Sequence, residues 1–314
     1  MSYDGFIHVA VGVVINRQQE ILISQRHIDS HQGSLWEFPG GKKESLESIE
    51  AALQREFVEE LGIKPIEIFP FAKILHHYSE KTVLLDVWLI TQYRGEEIGR
   101  EGQVIEWCPI TDLRPQNFPV ANQAIIKKLQ TPRKLAITPN IDKSESIPSL
   151  FDRYAEIGIQ LVQFQQTHLC ESDYLSWFDS AQSIAKNHGL RLLYNQSLRG
   201  YSDEWDVGFH ANSHVLDLLT ERPISDQLLF SASCHNLKEL KHAEKLAADF
   251  VTLSPICPNA NCPKGQELRW ERFRELASQV SLPVYALGGL SENDSDIALE
   301  SGAFGVAGTF AFTC

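Results

Sequence analysis

Residues 41–63 read GKKESLESIEAALQREFVEELGI. Within this stretch, the apolar positions 49, 52, 53, 57 and 61 recur at intervals of three or four residues. That spacing predicts an amphipathic helix from Ser48 to Leu61, because one turn of an α-helix takes 3.6 residues. Gly62 then stands where a glycine commonly ends a helix.

Three acidic residues lie close together on this predicted helix. Glu56, Glu59 and Glu60 occupy positions i, i+3 and i+4, so they should project from one side of it. Carboxylates held close together repel one another unless a cation neutralises them, and hard oxygen ligands suit Mg²⁺ or Mn²⁺. The helix is therefore predicted to bind a divalent metal ion. The alternative is an ordinary surface helix on which Arg55 pairs with a neighbouring glutamate.

The order and spacing of the specified residues in this stretch distinguish these two interpretations. A glycine, five residues, Glu47, seven residues and then Arg55 precede the acids, and this pattern resembles the Nudix box. Phe57 stands where that box has a bulky aliphatic residue. The resemblance implies an α+β Nudix fold, with a mixed sheet between helices, and a hydrolase that uses Mg²⁺, or Mn²⁺, to cut a pyrophosphate bond.

The resemblance also implies roles for individual residues. The metal ligands would be the carboxylates of Glu56, Glu59, Glu60 and Glu101 and the backbone carbonyl of Gly40. The catalytic residues would be Glu56, Glu101 and Arg55, and Arg55 with Glu47 would brace the helix and the loop before it.

Segments outside the box narrow the range of substrates that the resemblance implies. Residues 9–12, 37–42, 100–103 and 118–122, with Arg26 and His31, resemble the MutT type of Nudix enzyme, which removes 8-oxo-dGTP and keeps the oxidised base out of DNA. This resemblance implies that Asn122 hydrogen-bonds the purine edge and that Phe38 packs on the base. The substrate-binding residues implied are Arg26, His31, Glu37, Phe38, Pro39, Gly40 and Asn122.

Each of these residues has a simpler interpretation. Asn122 opens an apolar-periodic helix and is typical of an N-cap. Phe38 is equally typical of a core and Arg26 of a surface cation. Glu101, between two glycines, is typical of a solvated loop acid.

The remaining N-terminal sequence predicts further strands. Residues 7–15 and 21–24 flank a short turn and predict a hairpin. Residues 82–91 and 104–108 predict strands, and residues 121–130 predict a final helix. We therefore expect residues 1–131 to form the Nudix hydrolase domain.

From residue 132 onward, apolar strand-like runs alternate with helical stretches. Eight such repeats indicate a small (β/α)₈ TIM barrel over residues 132–314, with little room for a helix between the third and fourth strands. The predicted strands are 134–139, 158–164, 190–195, 206–211, 229–233, 249–254, 283–287 and 304–308.

This second half resembles thiamine phosphate synthase and its TenI-type relatives. The similar pieces include residues 161–163, 193–195, 233–236 and 254–256. Small residues follow the seventh and eighth strands, where barrels often bind phosphate through backbone N–H groups. The predicted phosphate-binding residues are Gly288, Gly289, Ala307 and Gly308, although the glycines could instead serve only to make tight turns.

The residues that this family uses for pyrophosphate and metal are poorly matched. Gln165 and Thr167 stand where the family has Arg and Lys, and Gln196 stands where it has a metal-binding Asp. A later acid is missing around residues 212–214. We therefore expect a degenerate barrel that binds a thiamine-phosphate-like ligand rather than an active synthase. Alternatives for the barrel are a metabolite sensor, an altered isomerase-like activity or a scaffold. The alternative for the Nudix domain is hydrolysis of a thiamine-diphosphate-like compound.

Composition limits partners and location. The chain has 41 acidic and 28 basic residues in 314, a formal net charge of −13, which disfavours direct binding to nucleic acid through a basic face. The start lacks a leader pattern and no apolar run is long enough to span a membrane, so a cytoplasmic protein is expected. The MutT resemblance implies a nucleoside triphosphate as its small-molecule partner. The six scattered cysteines predict reduced thiols.

Overall fold

The computed structural model describes residues 6–29, 32–78, 81–202, 204–258, 267–309 and Phe312. It divides into two compact units, Met1–Thr131 and Pro132–Cys314. No helix in the described parts of the chain is both long enough and apolar enough to cross a membrane. Cys108, Cys170, Cys234 and Cys257 carry free thiols, whereas Cys262 and Cys314 lie outside the described residues.

The described part of the first unit contains seven strands and two α-helices. The strands are β1 (Ile7–Val14), β2 (Glu20–Gln25), β3 (Trp36–Glu37), β4 (Gly40–Lys42), β5 (Lys64–His77), β6 (Thr82–Arg94) and β7 (Ile105–Pro109). The helices are α1 (Ile49–Glu56), which a π-helical segment (Phe57–Leu61) continues, and α2 (Val120–Leu129). Short 3₁₀ turns lie at Ile110–Asp112 and Pro115–Asn117.

Two sheets form the framework of this unit. One has the order β4-β1-β6-β5, with β1 parallel to β6 and antiparallel to β4, and the other has the order β3-β2-β7. The first sheet is therefore mixed, which confirms the predicted α+β class. The parallel pair is largely buried, in keeping with the apolar runs of both strands.

Two expectations about strands are corrected. The predicted hairpin is wrong, because β1 and β2 join different sheets and meet through a single bridge between Ile15 and Ile21. Strand β5 was not predicted: prolines at 65 and 70 and three shifts in its register with β6 disturb the alternation that marks a strand.

The helical segment packs on the mixed sheet where Gly12 leaves space. A Cβ at Gly12 would lie 2.2 Å from Cζ of Phe57, whose ring is fully buried. Leu53 and Leu61 join the same cluster with Ala10 and Ile90 of the sheet. This packing determines which side of the helix is left for its acidic residues.

The second unit is a closed barrel of eight parallel strands, which confirms the predicted fold. Its strands are β8 (Lys134–Ile137), β9 (Leu161–Phe164), β10 (Arg191–Tyr194), β11 (Gly208–Ala211), β12 (Phe230–Cys234), β13 (Phe250–Leu253), β14 (Val284–Leu287) and β15 (Gly305–Gly308). The helices are α3 (Ile147–Glu156), α4 (Glu171–Asn187), α5 (Ser213–Leu218), α6 (Leu237–Lys245), α7 (Arg269–Ala277) and α8 (Ser295–Glu300), with 3₁₀ turns at Ser144–Ser146, Leu198–Gly200 and Glu292–Asp294.

The connection between β10 and β11 is short, as predicted. Its described residues, which omit position 203, contain one 3₁₀ turn at Leu198–Gly200 as their only helical structure. Aromatic side chains take the place of a helix: Tyr201 and Trp205 pack on Tyr194, at centroid distances of 5.7 and 5.6 Å. The outer surface of these strands is therefore covered although the helix is missing.

Candidate functional site

The segment that carries the acids begins as an α-helix and ends as a π-helix. Ser48 caps its start, because its Oγ accepts the N–H of Ala51 at 3.1 Å. Residues Phe57–Leu61 form the π-helical part, and Gly62 closes it in the left-handed conformation at φ 74°. The predicted helix is thus present over its full length, but its last five residues are wound more widely than expected.

The three acids of this segment differ in exposure. The side chains of Glu56 and Glu60 are half-buried, whereas that of Glu59 is 58% exposed. Glu59 is thus more exposed than the other two, although one guanidinium nitrogen of Arg55 bonds both Glu56 and Glu59. The expectation that the three acids project from one side within reach of a common ion stays a prediction. Glu56 and Glu60 remain as the inner pair.

Arg55 connects the helix to the loop before it. Its guanidinium donates to Glu47 through Nη2 at 2.9 Å and Nε at 3.3 Å, and to the backbone carbonyl of Lys42 at 3.1 Å. Its Nη1 donates to Glu56 at 2.8 Å and to Glu59 at 3.2 Å. The bonds from Arg55 and from the N–H of Glu44 lower the pKa of Glu47. Arg55 thus braces the loop while holding two of the predicted metal ligands.

Gly41 makes room for the carboxyl group of Glu56. A Cβ at Gly41 would lie 2.2 Å from Cδ and Oε1 of Glu56 and 2.4 Å from its Oε2. No side chain fits there unless Glu56 moves. Gly40 is constrained as well, because a Cβ there would lie 2.1 Å from the carbonyl oxygen of Ala10 and its φ is 142°.

Glu60 lies in a concentration of negative charge. Burial first, and then the charges of Glu56, Glu37 and Glu101, raise the pKa of Glu60 to about 8. The backbone N–H of Gly40 donates to this carboxyl group and offsets part of the effect. We call Glu37, Glu56, Glu60 and Glu101 the carboxylate cluster. Its repulsion is the kind that a divalent cation relieves.

Within the described residues, no three His, Cys, Asp and Glu side chains are arranged closely enough to hold a metal ion. In this conformation Glu56 and Glu59 are bound to Arg55 instead. The ligand set of Gly40, Glu56, Glu59, Glu60 and Glu101 therefore stays a prediction. The donor chemistry fits a hard divalent ion, since carboxylate and carbonyl oxygens are what Mg²⁺ and Mn²⁺ prefer.

The predicted nucleotide-binding residues are partly brought together. Arg26 and Glu37 form a half-buried ion pair, and burial raises the pKa of Glu37 despite that arginine. Asn122 accepts the backbone N–H of Phe38 at 3.4 Å. Pro39 bonds the neighbouring strand through its carbonyl, which accepts the N–H of Gly12 at 2.9 Å. His31 lies outside the described residues.

The structure decides some of the simpler interpretations. Asn122 is not an N-cap, because Pro119 holds that position in α2. Phe38 is 3% exposed and stacks on Phe118 at 5.4 Å, so the core interpretation describes its ring in this conformation. Arg26 is paired rather than a free surface cation.

The predicted phosphate residues of the barrel lie at the ends of β14 and β15. Gly288 and Gly289 follow β14 with φ of 104° and 69°, and Ala307 and Gly308 end β15. A Cβ at Gly289 would lie 2.8 Å from Cβ of Cys257. These backbone conformations and this close approach are enough to require glycine at 288 and 289, whether or not a phosphate binds there. The phosphate role of the four residues therefore stays a prediction.

Gln165 and Thr167, which stand where the resembled family has Arg and Lys, make only uncharged hydrogen bonds among the described residues. The backbone N–H of Gln165 donates to Oγ1 of Thr138 at 2.8 Å, and that hydroxyl donates back to the carbonyl of Gln165 at 2.9 Å. Oδ1 of Asn140 accepts the N–H of Thr167 at 3.0 Å. The loops after β8 and β9 are thus joined to each other by uncharged groups, and Gln165 and Thr167 bring no positive charge to a pyrophosphate.

The barrel interior contains a buried histidine between two serines. His210 hydrogen-bonds Oγ of Ser231 through Nδ1 and Oγ of Ser233 through Nε2, both at 2.8 Å. Burial lowers the pKa of His210 to about 3, so its ring is neutral near pH 7. The sequence marked no role for this group, and its signal was only a polar residue on an apolar strand.

Two residues with contacts at the Nudix helix were quoted in the sequence pattern without a role. Arg100 donates through Nη1 to the carbonyl of Val58 at 3.1 Å, and Gln103 donates through Nε2 to that of Glu60 at 3.0 Å. Both lie within two residues of Glu101, and that proximity in sequence was the available signal.

Comparison with known proteins divides the chain in the same way. Residues 10–128 match the model for the NUDIX domain, and residues 135–312, more than half of the chain, match the model for thiamine monophosphate synthase. The 8-oxo-dGTP diphosphatase of Escherichia coli K12 is 39% identical over 124 residues, which are 40% of this chain and 96% of that protein.

Two further proteins resemble one half each. The putative thiamine-phosphate synthase 2 of Aquifex aeolicus is 27% identical over 185 residues, 59% of this chain and 99% of that protein. A solved MutT structure, from work on Aliivibrio salmonicida and Vibrio cholerae, is 38% identical, covers 39% of this chain and 95% of its own, and has a TM-score of 0.35. The chain thus belongs to two families: its N-terminal unit is a MutT-type Nudix pyrophosphohydrolase, and its C-terminal unit is a barrel of the thiamine monophosphate synthase family.

Proposed function

We propose that the N-terminal unit hydrolyses 8-oxo-dGTP to 8-oxo-dGMP and pyrophosphate with Mg²⁺. The observation that carries this proposal is the carboxylate cluster around the half-buried Glu60, where burial and then the neighbouring charges raise the pKa of that group to about 8. The substrate is supported by the name of the E. coli relative, of which this chain covers 96%.

The metal would be held by residues of the helix, its preceding strand and a loop. The ligands proposed are the carboxylates of Glu56, Glu59, Glu60 and Glu101 and the carbonyl of Gly40. When bound, a divalent ion would polarise phosphoryl oxygens and lower the pKa of the attacking water. It would also explain how a chain with a net charge of −13 holds a polyphosphate.

The reaction needs little from the protein beyond positioning and a proton acceptor. The oxygen of a water molecule bonds to a phosphorus on one side of the α,β bridging oxygen, and the bond from that phosphorus to the bridge breaks. The nucleoside monophosphate and pyrophosphate separate, and the water proton passes to a carboxylate of the cluster, with Glu56 and Glu101 as candidates. Arg55 holds the helix against its loop during this step.

The base would be recognised beside Asn122. Because its Oδ1 already accepts the N–H of Phe38, its Nδ2 hydrogens are the groups left to donate to a carbonyl oxygen on the purine edge. Arg26, Glu37 and His31 are proposed to contact the rest of the nucleotide. A base that leaves the half-buried amide of Asn122 without a partner would bind less well than one that accepts its hydrogen bond.

A substrate panel tests the proposal. We expect kcat/KM for 8-oxo-dGTP to exceed that for dGTP and for thiamine diphosphate when Mg²⁺ is present. Equal values for the two nucleotides would contradict the oxidised-purine assignment. Preference for thiamine diphosphate would favour the second candidate, a hydrolase for a thiamine-diphosphate-like compound, which the fused barrel suggests.

For the barrel, we propose binding of a thiamine-phosphate-like ligand without synthase activity. Neutral Gln165 and Thr167 support the loss of synthesis, and Gly288 and Gly289 are the candidate phosphate contacts. Titration calorimetry of the full chain with thiamine phosphate should show binding, and the complete absence of heat would contradict it. A change in hydrolysis rate on adding this ligand would favour a metabolite-sensing role.

A further inference from the structure

The loop that carries Glu101 is bound to the end of the helical segment. The backbone N–H of Ile98 donates to the backbone carbonyl of Leu61 at 2.9 Å. The backbone N–H of Arg100 donates to the backbone carbonyl of Glu60 at 2.8 Å. The last carbonyls of a helix lack partners within it. The loop supplies those partners, so its position depends on the helix end.

The side chain of Gln103, in this loop, hydrogen-bonds the backbones of Glu60 and Glu101. Its Nε2 donates to the backbone carbonyl of Glu60 at 3.0 Å, and its Oε1 accepts the backbone N–H of Glu101 at 2.8 Å. The loop turns back tightly there: a Cβ at Gly99 would lie 2.1 Å from the carbonyl oxygen of Gln103, and Gly102 has a φ of 79°. Gln103 is half-buried, and its bond to Glu60 is partly shielded from water, whereas its bond to Glu101 is exposed.

We propose that Gln103 is a positioning residue that holds Glu101 at a fixed place beside Glu60. This inference rests on the proposed function, in which both carboxylates serve the metal and the proton transfer. Gln103 itself would touch neither substrate nor metal.

The chemistry of the amide explains why this residue type is needed. One end must donate and the other must accept, and glutamine offers both at this length. Methionine has nearly the same shape but supplies neither bond. Residues that orient metal ligands typically contribute about 10- to 100-fold to metal affinity or activity.

The test uses the full chain with Gln103→Met, and with Gln18→Met in an exposed turn as the control. Electron paramagnetic resonance measures Mn²⁺ affinity without nucleotide, and steady-state kinetics measures hydrolysis of 8-oxo-dGTP with Mg²⁺. For Gln103→Met we expect about tenfold weaker Mn²⁺ binding and about tenfold lower kcat, with KM nearly unchanged. The melting temperature should stay close to that of Gln18→Met.

A double-mutant cycle separates positioning from general damage. In a Glu101→Gln background, Gln103→Met should weaken Mn²⁺ binding little further, because its effect passes through Glu101. Additive losses would overturn the inference, even if Gln103→Met proves less stable. Wild-type Mn²⁺ affinity and kcat in Gln103→Met would overturn it while leaving the proposed function intact. A wild-type chain that neither binds Mn²⁺ nor hydrolyses nucleotide would overturn both.

Discussion

The carboxyl group of Glu56 lies directly over the bare Cα of Gly41, so that a Cβ at Gly41 would stand 2.2 Å from Cδ of Glu56. The missing side chain of Gly41, on strand β4, therefore has a consequence for the acidic helix. It leaves the space in which a carboxylate of the cluster is held.

We expect Gly41→Ala to displace this carboxylate and to lower kcat by about 100-fold, the upper range for residues that orient metal ligands. Steady-state hydrolysis of 8-oxo-dGTP measures the change. In a Glu56→Gln background the same substitution should add little, because the charged group is already gone. If the losses in kcat from Gly41→Ala and Glu56→Gln are instead additive, Gly41 does not act through the carboxylate of Glu56.

Gly12 and Phe57 form a second pair matched in size. Gly12→Ala should destabilise the first unit by about 1–3 kcal/mol, because the new methyl group overlaps the buried ring of Phe57. Phe57→Leu in the same chain should recover part of that loss. Hydrogen exchange over residues 7–14, followed by mass spectrometry, measures both. If the double variant is no more stable than Gly12→Ala, the proposed overlap is not the cause.

Asn122 gives a test of base recognition that leaves the phosphate chemistry alone. Asn122→Asp keeps the acceptor for the N–H of Phe38 and removes the donors offered to the base. We expect the preference for 8-oxo-dGTP over dGTP to fall by about tenfold, and Asn122→Ala to do the same. Gln123→Ala, one residue along α2, is the matched control. An unchanged kcat/KM ratio in both Asn122 variants would remove this residue from the site.

His210 predicts how the barrel responds to acid. Its pKa is about 3 in the folded chain and 6.5 without burial, so the unfolded chain takes up a proton that the folded chain does not. The stabilisation is complete above pH 6.5 and is lost as pH falls, by about 3 kcal/mol at pH 4. Calorimetry across this range should show that the stability of His210→Gln depends less on pH than that of His214→Gln, a control at an exposed residue. Equal slopes would contradict the neutral buried ring.

The acids and the barrel strands were predictable because their signals are local. Spacing alone placed Glu56 and Glu60 together, and all eight barrel strands followed from apolar runs between helical stretches. Strand partners were not predictable in this way: β1 pairs with β6, whose residues lie far along the chain. The π winding also left no trace in the pattern, since Phe57 and Leu61 are buried in either kind of helix.

Side-chain orientation was the least predictable feature of the site. Phe38 fits a base-stacking position by its place in the pattern, yet its ring lies against Phe118. Asn122 was expected to face a base, and its Oδ1 accepts the backbone N–H of Phe38, a residue far away along the chain. Such partners are set by contacts between segments that spacing does not describe.

The most direct measurement of the central claim is Mg²⁺-dependent release of pyrophosphate from 8-oxo-dGTP by the full chain and by Glu56→Gln. The substitution keeps the shape of the side chain and removes its charge. The account predicts release that depends on added Mg²⁺ in the wild-type chain and a loss of about 100-fold or more in the variant. Equal turnover by the two proteins, or turnover unaffected by removing Mg²⁺, would contradict it.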